Sequence, residues 1–217
     1  MPRPKVATKE DIAFIKERFL ENYNEAVTEL AYTNDYELLI AIILSAQCTD
    51  KRVNIITPAL FSKYPTIQDL ANADLEEVKE LIKSCSFFNN KAKNIIAMAQ
   101  SVQELHNGQI PHDPKALTQL AGVGNKTANV FMIEADGANL MAVDTHVFRV
   151  SHRLGLSYAK TVEKTEQQLV KKLKDDLHIF HQAMVLFGRY ICKAVKPECE
   201  KCFLTQVCKT KQSYKAR

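Results

Sequence analysis

The sequence predicts an all-α protein, and three observations carry that expectation. Apolar residues recur at helical spacing along almost the whole chain, no stretch sustains the apolar–polar alternation of a half-buried strand, and capping residues fall at the ends of the apolar segments.

The first helix opens on Thr8, with Asp11 in capping-box spacing, and continues through Ile12, Ile15 and Phe19 on one face. The second, Tyr36 to Cys48, is apolar on all sides between Leu38 and Leu44, the pattern of a helix at the centre of a core. Helices are predicted over Val53 to Tyr64, Thr66 to Ala71 and Asp74 to Ser84, the last with Asp74 and Glu77 spaced as a capping box. The next, Asn90 to His106, carries Ala92, Ile95, Ile96, Ala99, Val102 and Leu105 and stops at Asn107-Gly108. Asp113-Pro114 starts a short helix, with Pro in its first turn where a missing amide costs nothing. Asn125 to Ala135, Thr145 to Leu154, Val162 to Leu173 and Ile179 to Cys192 complete the set. No linker rich in Pro, Gly or Ser separates them, so two domains in this chain must share segments or adjoin directly.

A chain of 217 residues that is 46% hydrophobic and 25% charged can bury a sizeable core. Its longest apolar run, Leu38 to Leu44, is far short of the ~20 residues that span a bilayer. With no signal-peptide core after the first residues, a cytoplasmic address is expected. The net charge of +4 is unevenly placed: residues 189–217 hold eight Lys or Arg against Glu198 and Glu200, which is +6, leaving −2 elsewhere. Such a basic end attracts a polyanion, although it also serves solubility. No coiled-coil heptad appears, so a monomer is expected.

Leu120-Ala121-Gly122-Val123-Gly124-Asn125-Lys126 lies between two short helices. Its glycines permit a tight turn whose amides, with the positive end of the next helix, suit a phosphate. A plain glycine turn is the simpler reading, but Lys126 argues against it. A cation in the first turn of a helix is opposed by the dipole, and the same field favours a free amine able to attack carbon. Eighteen residues on, Asp144 in Val143-Asp144-Thr145-His146 is placed to cap a helix. It is also placed to return beside the lysine and take its proton or stabilise positive charge on a sugar.

The most specific signal is C-x6-C-x2-C-x5-C, formed by Cys192, Cys199, Cys202 and Cys208. Four thiolates hold either zinc or an iron-sulfur cluster. Zinc often uses two well-separated C-x2-C pairs, and only one is present, so one compact loop better suits a 4Fe-4S core while spacing leaves zinc open. Arg189, Lys193, Lys196 and Lys201 interleave with these ligands and give the loop a phosphate-facing charge. Cys48 and Cys85 lack metal-like spacing and are expected to be ordinary small buried residues.

The hairpin, the Val-Asp-Thr-His segment and the four cysteines, in this order, resemble the endonuclease III family of helix-hairpin-helix DNA glycosylases. The likeness extends back through Leu38 to Gln47 and covers the chain from about residue 30 to 210. It implies a six-helix domain over residues 26–138 carrying the hairpin, and a discontinuous iron-sulfur domain from residues 1–25 and 139–217. It further implies that Lys126 attacks C1′ of a damaged nucleotide with help from Asp144, and that one 4Fe-4S cluster is bound. Gly122, Gly124, Lys193 and Lys196 would meet DNA, Gln47 would fill the gap left by the flipped nucleotide, and Phe87 would wedge into the opposite strand. Extruding a base costs unstacking energy that such groups partly restore; read without the resemblance, Gln47 is a polar helix end and Phe87 a core residue.

The implied activity is removal of oxidised pyrimidines from double-stranded DNA, followed by β-elimination 3′ to the abasic site through a lysine Schiff base. No magnesium is required for that chemistry. Two departures stand out: Ala121 where the family hairpin usually has Pro, and Asn125 where a basic residue is frequent, which leaves the turn less preorganised and removes one phosphate contact. The rivals are an adenine glycosylase, which shares hairpin and cluster but lacks the lysine, and a non-catalytic helix-hairpin-helix docking module, which gives no reason for Lys126 beside a carboxylate.

Overall fold

The computed structural model of the chain describes residues 6–210. Among these, every regular element is helical: α1 (Lys9–Tyr23), α2 (Asp35–Ser45), α3 (Asp50–Lys63), α4 (Ile67–Ala71), α5 (Leu75–Ile82), α6 (Phe88–His106), α7 (Pro114–Leu117), α8 (Asn125–Asp136), α9 (Thr145–Arg153), α10 (Val162–Leu173) and α11 (Leu177–Tyr190), then a 3-10 turn at Cys199–Lys201. The chain divides into two units, one formed by Thr28–Asp136 and the other by the segments up to Val27 and from Gly137 onward. No helix is long and apolar enough to cross a membrane among the described residues.

In the first unit, α2 runs through the middle and touches α3, α6 and α8. Every residue from Leu38 to Leu44 is buried, as the all-round apolar pattern requires. The helix ends at Ser45 and not at Cys48 as the sequence suggests, because Ala46 leaves the helical region and Gln47 turns left-handed at φ 55°. α3 begins earlier than predicted, since Thr49 caps it by accepting from the Arg52 amide. At α5 only half of the expected capping box forms: Asp74 accepts from the Glu77 amide, but the Glu77 carboxylate turns to the Tyr64 hydroxyl and Lys63.

Closing this unit, His112 bridges the start of α2 to the end of α8, its Nε2 3.0 Å from Asp35 Oδ2 and its Nδ1 2.7 Å from Asp136 Oδ1. Two carboxylates on one ring call for both nitrogens to donate, hence for the imidazolium. The Asp136 bond first, then the Asp35 bond, raises the His112 pKa above its ordinary 6.5. A raised folded value means that the bridge contributes fully below about pH 6.5 and is lost as pH rises through the raised value. The thermal midpoint of wild type is therefore expected to fall across that window, and His112→Asn to flatten the dependence.

In the second unit, α9 and α11 cross closely and α1 lies against α11 and α10. Phe19 of α1 is its central anchor, edge-on to Phe180, Phe187 and Phe203 with centroids 5.5–6.5 Å away. The Thr8–Asp11 capping box forms, and Asp11 Oδ2 also accepts from Lys209 Nζ at 2.6 Å, tying the end of the described chain to the start of α1. α11 starts two residues before its predicted Ile179 and ends two before Cys192. Its cap is supplied from elsewhere: Asn139 Oδ1 accepts from the Leu177 amide at 2.8 Å while Nδ2 donates to Lys174. The charged stretch before α11 is thus pinned by an amide side chain that no local pattern announces.

Candidate functional site

The hairpin between α7 and α8 is anchored by two buried residues, Leu120 and Val123, and the Val123 amide closes the turn on Leu120 O at 3.1 Å. Gly122 is left-handed at φ 79°, and a Cβ there would lie 3.0 Å from Asn94 Cβ, so both conformation and space demand glycine. Gly124 differs. It has no left-handed φ, and a Cβ on it would meet nothing within 4 Å. Its bare face is open at the amino terminus of α8, where the first amides lack partners within the helix. Gly122, Gly124, Asn125 and Lys126 are all exposed, and Lys126 sits in the first turn of α8.

Asp144 lies in the other unit. The buried run Met141-Ala142-Val143 delivers it to the amino terminus of α9, where Oδ1 accepts from the Val147 amide at 2.7 Å. One carboxylate oxygen is committed to the cap, which orients the other. α9 is held down by Gly188 of α11: a Cβ there would fall 2.9 Å from His146 Cβ and 3.2 Å from Val150 Cγ2. Gly188→Ala must push the helices apart directly beneath the Asp144 turn, and a loss of about 1–3 kcal/mol is expected in denaturant unfolding.

The four cysteines occupy the wrap that follows α11. Cys192 lies past its end, Cys199 opens the 3-10 turn, Cys202 closes it, and Cys208 follows the buried Leu204 and Val207. All four are half-buried free thiols. Burial pushes the Cys192 and Cys202 thiols up, and neighbouring thiols add to this, Cys208 acting on both and Cys192 on Cys202. Among the described residues no three His, Cys, Asp or Glu side chains converge closely enough to chelate one ion.

Two arginines that sequence reading passed over hold this wrap. Arg153 is buried and donates from Nη1 to the carbonyls of Cys192 at 3.1 Å and Lys193 at 2.7 Å and to Cys192 Sγ at 3.3 Å, while its own carbonyl accepts from the Lys209 amide. Arg149, one turn earlier on α9, donates to the Cys192 and Gly188 carbonyls. Their signal in the sequence is faint: two arginines four apart in a helix, the second at its carboxyl end. On the outside of the wrap, Lys193 pairs with Glu198 at 2.8 Å, and Lys196 is exposed and left-handed at φ 49°.

Gln47 and Phe87 are in the first unit, each on a turn. Gln47 is exposed just past α2. Phe87 is 63% exposed at φ 57° in front of α6, contrary to the core position that its apolar character suggests. Cys85 is buried as expected, but Cys48 is only half-buried, because the turn after Ser45 lifts it out of the helix.

Comparison with known proteins matches residues 40–175 to the HhH-GPD superfamily base excision DNA repair protein model. An endonuclease III from Rickettsia conorii is 45% identical over 89% of this chain and 93% of its own length. Among solved structures, a non-covalent endonuclease III–DNA complex superposes with a TM-score of 0.91 at 40% identity, covering 97% of this chain and 99% of that one. A trapped endonuclease III–DNA covalent intermediate superposes at 0.90 and 41% identity, covering 95% and 98%.

Proposed function

The chain belongs to the endonuclease III family of HhH-GPD base-excision DNA-repair enzymes, and from that premise we propose that it is a bifunctional glycosylase and abasic-site lyase acting on oxidised pyrimidines in double-stranded DNA. The observation that carries this reading is Lys126, an exposed amine at the amino end of α8 beside an open glycine turn. The turn's amides and the helix end receive the phosphate. The amine attacks C1′ of the flipped nucleotide, the base leaves, and a Schiff base forms between Lys126 and the opened sugar. Asp144 takes the proton shed by the amine and faces the positive charge that grows on the sugar. Loss of a C2′ proton then expels the 3′ phosphate by β-elimination. Gln47 fills the space from which the nucleotide has moved, and Phe87 wedges into the opposite strand. A covalent intermediate trapped in a relative of 41% identity supports this route.

The unit formed by the segments up to Val27 and from Gly137 onward is the proposed cluster domain, and Thr28–Asp136 the hairpin domain. Cys192, Cys199, Cys202 and Cys208 would hold one 4Fe-4S cluster. The donor set fits it: four free thiols in one wrap, with an Arg153 N–H already directed at Cys192 Sγ. When bound, the cluster fixes the shape of the loop; the chain's own Lys196 then faces phosphate, and Lys193 does so in exchange with Glu198. Borohydride treatment of the protein on duplex DNA containing thymine glycol is the test. A covalent protein–DNA adduct is expected, whereas tight binding with no adduct would establish the docking-module reading instead. Iron and acid-labile sulfide in equal amounts are expected on analysis of the brown protein, and a colourless zinc protein would overturn the cluster.

A further inference from the structure

Gln47 and Phe87 stand on separate turns, and one buried side chain joins them. Lys91, in the first turns of α6, is only 6% exposed. Its Nζ donates to Leu44 O at 2.7 Å, to Ala46 O at 2.7 Å and to Cys85 Sγ at 3.3 Å, so all three N–H groups are used. The Cys85 thiol in turn reaches Leu44 O at 3.2 Å. The Lys91 amide bonds Phe87 O at 3.1 Å.

Helix α2 ends without the glycine or asparagine that normally supplies a left-handed cap. Its terminal carbonyls are met by a buried ammonium instead, which suits the negative end of the dipole but is an expensive way to stop a helix. What the lysine achieves and a local cap does not is a tie between two loops. Both Gln47 and Phe87 are left-handed, at φ 55° and 57°, a conformation that such residues keep only where the surroundings hold them. Both project into solvent from turns fastened to the same nitrogen or to its own backbone.

We infer that Lys91 is a positioning residue for base extrusion, its ammonium clamping the carbonyls ahead of Gln47 and the thiol ahead of Phe87 so that plug and wedge enter the duplex at a fixed separation. This rests on the reading of Gln47 and Phe87 given above. Lys91→Met keeps the stem and removes all three donors. Release of thymine glycol from duplex DNA in a single turnover is then expected to fall by up to about a hundredfold, in line with what misplacement of a working group by about an ångström costs.

A fall in rate with a lower melting midpoint would also follow from damage to the fold, so the deciding readout is a double-mutant cycle. If Lys91 works through Gln47, Gln47→Ala slows wild type clearly but slows Lys91→Met by less than about twofold, and Phe87→Ala behaves alike. Losses that multiply in full would overturn the inference and leave Lys91 a purely structural residue. Should Gln47→Ala and Phe87→Ala both leave wild-type release unchanged, the reading of those two residues fails, and the inference with it. If Lys91→Met does not fold, Lys91→Arg keeps the buried cation but sets a planar fork on the carbonyls, and the same cycle applies with the same deciding result.

Discussion

Lys126→Ala is expected to abolish borohydride trapping on abasic duplex DNA and to lower strand nicking by about 10⁴-fold or more, as loss of a covalent nucleophile does elsewhere. Its folding stability should stay within about 0.5 kcal/mol of wild type. The side chain is exposed, alanine is the better helix former, and the lysine sits at the end of α8 where the dipole opposes a cation. DNA binding should weaken only slightly, since one phosphate-distance charge is lost from a surface that retains the hairpin amides. Gel trapping, nicking and thermal melting on the same preparation give the answer. Nicking that persists in the variant would move the chemistry to another amine, and a variant that fails to bind would make Lys126 a docking group.

How much of this could be read from the sequence depends on how local the cause is. The core of α2 was legible because burial of every residue from Leu38 to Leu44 needs an unbroken apolar run, and nothing else explains one. The end of α2 was not, because its carbonyls are met by Lys91, far along the chain, and glutamine carries no signal for a left-handed turn. The start of α11 failed for the same kind of reason: Asn139, across α9 and α10, supplies the cap, so the residues next to the helix carry no mark of it. At the local caps Thr8, Thr66 and Asp113 pattern and structure coincide, whereas the local cap Thr49 of α3 was passed over.

The site divides similarly. Spacing alone marked the four cysteines, because all of them fall in one short segment, residues 192–208. Arg149 and Arg153 went unnoticed because a helical arginine ordinarily faces water, and only the fold of the wrap turns these toward its carbonyls. Phe87 shows the limit from the other side: an aromatic residue between helices reads as core, and its exposure is set by a backbone conformation that the sequence does not advertise. Gly124 was legible as glycine but for a partly mistaken reason. Its value is an open face at the helix end and not a special φ, which in this hairpin belongs to Gly122.

Asp144→Asn is expected to lower base release and nicking by about 10²–10⁴-fold, the range for loss of a positioned general base. The cap and the catalytic role can be separated here because the two depend on different properties of the side chain. Capping needs one oxygen to accept from the Val147 amide, which asparagine supplies nearly as well as aspartate. Proton uptake and stabilisation of a positive sugar need the negative charge, which asparagine lacks. Asp144→Asn should therefore melt close to wild type with its rate collapsed, whereas Asp144→Ala should lose a similar rate and also about 0.5–2 kcal/mol of stability as the first turn of α9 frays. Rates and melting midpoints of both variants decide the matter. If asparagine restored activity as well as stability, Asp144 would be a cap and nothing more, and the proton from Lys126 would have to pass to another group.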